Sequence, residues 1–183
     1  MKARLIAFLV ITILFYSCSA SKTKATPEQL QALNELIESK SFVIESEWAM
    51  PLVTSSLTAI QNSGLIAPNN NNINRINLLS NPNELRLEEG YITSQLPYYG
   101  EVQIPSAYNA MKTGIALDSE IKNYKVQENK NGSYTVTFDA KSDTEHFDVT
   151  IQLWPSLKTE MTLNGAKRLA IRYEGKARML EGN

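Results

Sequence analysis

The sequence predicts a mainly β domain, an antiparallel up-and-down meander of about eight strands that is barrel-like or strongly curved, with one N-terminal α-helix packed on it. Three observations predict it. Through the second half of the chain, apolar and polar residues alternate with the period of two that puts every other side chain on one face of a sheet. Asn131-Gly132 and Asn164-Gly165 punctuate that run, and both residue types accept the positive φ of a tight hairpin turn. A clear helical period occurs once, ahead of the strands.

The helix opens at Thr26-Pro27-Glu28-Gln29. Thr26 caps the free N–H groups, Gln29 reaches back as its capping-box partner, and Pro27 sits where no N–H is needed. Leu30, Leu33, Leu36 and Ile37 form one apolar stripe, suited to docking on a sheet, and the helix should end at residues 39–41. At Phe42 the period changes to two: Phe42, Ile44 and Ser46 alternate with Val43, Glu45 and Glu47, up to Trp48-Ala49-Met50-Pro51. Residues 52–75 read as a long Asn-rich loop with at most one irregular strand or short helix.

Strand patterns then follow closely. Residues 76–79 make a short one, Leu85 and Leu87 alternate with Glu84, Arg86 and Glu88, and Glu89-Gly90 turns into residues 91–96. Residues 115–117 and 121–128 are the next two. Beyond Asn131-Gly132 come inward sets at Tyr134, Val136, Phe138 and Ala140, then at Phe147, Val149, Ile151 and Leu153. Leu157, Thr159, Met161 and Leu163 lead to the second Asn-Gly turn, and Leu169, Ile171 and Tyr173 complete the last strand. Short links between successive strands favour a meander, which can close into a barrel or curl over the helix.

The first residues set an expected address. Lys2 and Arg4 precede twelve uncharged residues, 5–16. As a helix these span about 18 Å at about 1.5 Å each, too short for a hydrocarbon core of ~30 Å. A signal peptide over residues 1–17 fits instead. Phe15-Tyr16-Ser17-Cys18 resembles a lipobox, with Phe15 where the pattern prefers Leu. The resemblance implies cleavage between Ser17 and Cys18 and acylation of the Cys18 thiol, the chain's sole cysteine. Two or more acyl chains anchor a protein stably. Residues 18–25 read as a polar tether without acidic residues, which resembles the periplasm-facing class of outer-membrane lipoproteins. The expected partner is therefore a membrane, and residues 26–183 form one globular domain.

The full chain has 18 Lys and Arg against 19 Asp and Glu, a formal charge of −1, and loss of Lys2 and Arg4 takes it to −3. The basic residues are scattered, so nucleic-acid binding has no electrostatic footprint. A lone cysteine also leaves no intrachain disulfide.

Several segments together resemble a Bacteroidota lipoprotein family, the domain of unknown function 4251 family. They are residues 42–51, Leu96-Pro97-Tyr98-Tyr99-Gly100, the paired strands around residues 124–138, and Ile171-Arg172-Tyr173-Glu174-Gly175. The Leu-Pro-Tyr-Tyr-Gly segment is the most specific. The resemblance implies a secreted, lipidated, mostly β domain and brings no catalytic residues with it.

No catalytic or metal constellation stands out. His146, the one histidine, falls on the solvated face of its strand, with no second His for zinc and no nucleophile elbow for hydrolase chemistry. Glu45 with Glu47, and Glu84 with Glu88 and Glu89, offer carboxylate pairs, but their spacing reads as solvated charge on a polar strand face. No cofactor is expected. The aromatics are the remaining lead: Trp48, Tyr98, Tyr99 and Trp154 lie near strand ends, each close to a Pro, and form a candidate ligand lip for sugars, peptides or lipid headgroups, or else plug the sheet.

The expected function is a non-enzymatic binding or scaffold module, its protein or glycan partner not specified by the sequence. The alternatives are a carrier of a small apolar ligand in a barrel-like cavity and a glycan- or peptide-directed hydrolase. A void behind Phe138, Val149, Ile151, Met161 and Ile171 would favour the carrier, and two carboxylates converging in one cleft would favour the hydrolase.

Overall fold

The computed structural model describes residues 25–64, 72–81, 83–104 and 114–180. The expected signal peptide, Ser17, Cys18 and nearly all of the tether lie outside the described residues, as does most of the Asn run.

Helix α1 (Pro27–Ser39) begins as the sequence predicts. The Thr26 hydroxyl accepts from the Gln29 amide at 3.3 Å, and the Gln29 side chain accepts from the Thr26 amide at 3.0 Å. Lys40 ends it in the left-handed region, φ 50°. Leu33, Leu36 and Ile37 are buried in the main core, where each fully buried Leu contributes about 1.5–3 kcal/mol. Leu30, the first residue of the stripe, is 37% exposed and lies beside the Gly132 turn.

Among the described residues, eight strands of five residues or more and three short ones make a single antiparallel sheet: β1 (Phe42–Pro51), β2 (Ile76–Asn77), β3 (Glu84–Glu88), β4 (Tyr91–Pro97), β5 (Gly114–Ile115), β6 (Asp118–Glu120), β7 (Lys122–Glu128), β8 (Tyr134–Lys141), β9 (His146–Leu153), β10 (Lys158–Gly165) and β11 (Ile171–Met179). The order along the sheet is β5-β4-β3-β1-β11-β10-β9-β8-β7, with β2 beside β1 and β6 beside β4. Strands β7 to β11 form the expected run of hairpins. The first described strand lies against the last, mid-sheet, through a ladder from Phe42↔Met179 to Pro51↔Ile171.

The sheet is strongly curved but not closed. β6 pairs with β4, and β7, after a break at Ile121, pairs with β8. The Ser119 hydroxyl accepts from the Lys141 amide at 3.0 Å, so the two margins approach across this corner without a shared ladder. Residues 55–62 of the expected long loop form a short helix, α2 (Ser55–Asn62), capped by Thr54 and burying none of its side chains.

Two local features depart from the sequence pattern. A bulge between Ser46 and Trp48 inserts Glu47 as an extra residue, so inward positions shift from Phe42, Ile44 and Ser46 to Ala49 and Pro51. Trp48 is thereby turned away from the core. Asn164-Gly165, expected as a turn, instead continues β10, pairing with Asp148 and Phe147 of β9, and the link to β11 comes later. Gly165 is there for space: a Cβ would collide with the Glu145 carboxylate and lie 2.8 Å from the Phe147 ring.

The core is one cluster. Phe138, Val149, Ile151, Met161 and Ile171, each at most 2% exposed, pack in it with Leu33 and Leu36 of the helix.

Candidate functional site

Of the four expected lip aromatics, the structure brings Trp48 and Trp154 together. The bulge aims Trp48 off β1, and Trp154 stands at the turn from β9 into β10, where its amide bonds the Lys158 carbonyl at 3.0 Å. Both line a groove of about 690 Å³ that runs over β10, β11 and β1 and reaches Ala25 and Gln29 at the start of α1 and Asn131 of the β7–β8 turn.

Cross-strand register sets the groove's charges. Trp48, Glu174 and Glu160 are partners across β1, β11 and β10. Two glutamates directly opposite repel each other, and each is held by a base: Arg75 on Glu174 at 3.2 Å, Arg172 on Glu160 at 3.6 Å. Lys176 lies 3.4 Å from the bulged Glu47. The Arg75 guanidinium also stacks 4.1 Å from the centre of the Trp48 ring, a cation–π contact. Arg75 reaches that position because β2, directly after it, pairs with Trp48 and Ala49. Thr159 and Ser46 lie on the other, core-facing side of these strands, either side of Gly175; both are buried, and among the described residues neither hydroxyl has a partner.

Tyr98 and Tyr99 lie elsewhere and explain the Leu-Pro-Tyr-Tyr-Gly segment. Leu96 is in the core, Tyr99 packs against it, and the Pro97 carbonyl accepts from the Tyr173 hydroxyl at 2.8 Å. Gly100 lies under the Tyr98 ring, where a Cβ would stand 2.6 Å from Cζ. The Tyr98 hydroxyl is within reach of the Leu169 and Glu101 carbonyls at 2.8 and 3.0 Å and donates to one at a time. The opposite face of this cluster is a buried ion pair. Arg168 Nε donates to Glu145 at 2.8 Å, and the Glu145 side chain is 1% exposed. The other Glu145 oxygen accepts from the Lys167 amide at 2.7 Å, and the Arg168 guanidinium lies over the Tyr98 ring at 4.7 Å.

Burial pushes the Tyr98 hydroxyl up to about 12, eased by Arg168 and raised further by Glu145, and burial raises Tyr173 more strongly still. The ordinary tyrosine value is about 10. The folded state therefore favours the neutral phenol. Its contribution is whole below pH ~10 and is lost as pH rises through about 12. The denaturant midpoint should fall over that window, and Tyr98→Phe should flatten the fall. Parallel curves for wild type and variant would contradict this.

His146 is exposed on β9, and the described residues contain no group of three or more His, Cys, Asp or Glu able to hold a metal. Glu45 pairs with Arg178 at 3.0 Å and Glu84 with Arg86 at 3.4 Å, both on the outer face. No local pattern marks Arg75, Glu160 or Glu174 as a site residue in the sequence. Strand register joins the two glutamates, and an ion pair adds Arg75; a pairing of the first strand with the last leaves no local signal.

Fold and groove together define a small β domain: a curved antiparallel sheet with one helix packed into its core and an aromatic, charge-lined groove across its middle strands. The family model of a domain of unknown function (DUF4251) matches residues 24–177, and the chain belongs to that family. The structure is similar to the crystal structure of a DUF4251 family protein from Bacteroides eggerthii, with a TM-score of 0.55 at 14% identity over 83% of this chain and 88% of that one. None of the curated proteins matches the chain.

Proposed function

We propose that this protein is a lipid-anchored, non-enzymatic binding module of the cell envelope that presents the Trp48–Trp154 groove, held at the periplasmic face of the outer membrane through acylated Cys18. One observation carries the binding role: both tryptophans of the chain line one groove, while the core is filled by side chains. A core filled by side chains favours a ligand on this surface over an apolar cargo inside. The anchor rests on the short apolar leader ending at Ser17-Cys18, and the periplasmic face on the non-acidic tether.

One observation favours a hydrolase instead: Glu47, Glu160 and Glu174 line the groove. Each is paired with a base and its side chain is 33–41% exposed, whereas a catalytic acid needs burial to hold its proton at neutral pH. Recognition suits such carboxylates better.

Metabolic labelling with a fatty-acid probe tests the anchor in the native host. Wild type should label and fractionate with membranes, while Cys18→Ala should do neither. Equal labelling of the two would end the lipoprotein reading.

A further inference from the structure

We propose that the groove's ligand is a saccharide, an uncharged chain of hexose rings lying across β10, β11 and β1. The inference rests on the binding reading above and names the ligand's chemical class.

Charge argues first. Arg75, Lys158 and Lys176 on the groove wall are matched in number by Glu47, Glu160 and Glu174. Such a surface has no net field with which to collect a phosphate, a nucleic acid or an acidic peptide. It is instead dense in donors and acceptors standing side by side, the surface that vicinal hydroxyls, each both donor and acceptor, can satisfy.

Topology argues second. A peptide most readily docks on a sheet by adding a strand at an edge. Strands β10, β11 and β1 each have a neighbour on both sides, so their ladder groups are already used. An acyl chain is equally unsuited to a rim carrying six charged side chains. What remains is a ligand with one apolar and one polar aspect. The C–H face of a pyranose ring stacks on an indole while its edge hydroxyls bond the rim.

The test uses the chain's own reporters. Both tryptophans are in the groove, so intrinsic indole fluorescence reads this site alone. The soluble protein is titrated with cellohexaose, chitohexaose and maltohexaose. At least one should give a saturable shift. Trp154→Ala should weaken that affinity at least tenfold, and Trp154→Phe, which keeps a stacking face, less than threefold, with thermal midpoints unchanged. The same titration is run with inorganic phosphate, a soluble decapeptide pool and monomeric dihexanoylphosphatidylcholine. A shift with one of these and none of the sugars would overturn the saccharide proposal and leave the groove a binding site. Silence with every probe to 10 mM would overturn both. A sugar shift unaffected by Trp154→Ala would overturn the assignment to this groove.

Discussion

Glu145→Ala is expected to destabilise the protein by about 3–5 kcal/mol, because it strands the Arg168 charge in a site where neither partner meets much water. At about 2–4 °C per kcal/mol for a chain of this size, the thermal midpoint should drop by roughly 6–20 °C. The carboxylate also accepts the Lys167 amide, so the link between β10 and β11 loses its tie to the β8–β9 turn. Pairing the change with Arg168→Met should restore most of the loss, since the uncompensated charge goes with it. Urea unfolding of the two single variants and the double variant closes the cycle. A cost under 1 kcal/mol for Glu145→Ala, or no recovery in the double variant, would show that the pair is not the tie described.

Gly175→Ala is expected to be comparably damaging, for steric reasons. A Cβ there would collide with the Glu45 carbonyl oxygen and stand 2.8 Å from the Ser46 Cα, both backbone atoms that cannot rotate away. Overpacking commonly costs about 1–3 kcal/mol, and a collision with backbone belongs at or above the top of that range. The collision lies beside the bulge that turns Trp48 into the groove, so the variant should also shift the indole emission. Gly132→Ala is a useful contrast, since a Cβ there meets only the Leu30 side chain at 3.3 Å and the cost is backbone strain at φ 75°. Stability and emission unchanged in Gly175→Ala would mean that the β1–β11 approach is looser than the structure has it.

Local patterns made much of the architecture legible. The Thr26 capping box, the Leu33–Leu36–Ile37 face and the alternating inward rows of β8 and β9 follow from helix and strand periods and appear in the structure where those periods put them. The Ser46–Trp48 bulge was not legible, because an extra residue in a strand is defined by its partner, and that partner is more than a hundred residues away. Asn164-Gly165 misled for the same reason. The dipeptide suits a turn, but the ladder with β9 and the Glu145 carboxylate packed on Gly165 claim it as strand. Glu145 and Arg168 sit in polar connections whose composition reads as solvated, and only their burial against each other sets them apart.

By itself the sequence determined the elements and their inward faces, since period, caps and turn residues act within a few positions along the chain, and it carried the leader that proposes an address. The tertiary structure alone decided that β1 lies beside β11, that Trp48 and Trp154 share one groove with Glu160, Glu174 and Arg75 while Tyr98 and Tyr99 brace a buried ion pair elsewhere, and that the curved sheet stays unclosed at Ile121. Those outcomes depend on long-range register and on which polar groups find partners once water is excluded, and neither is written in any single stretch of residues.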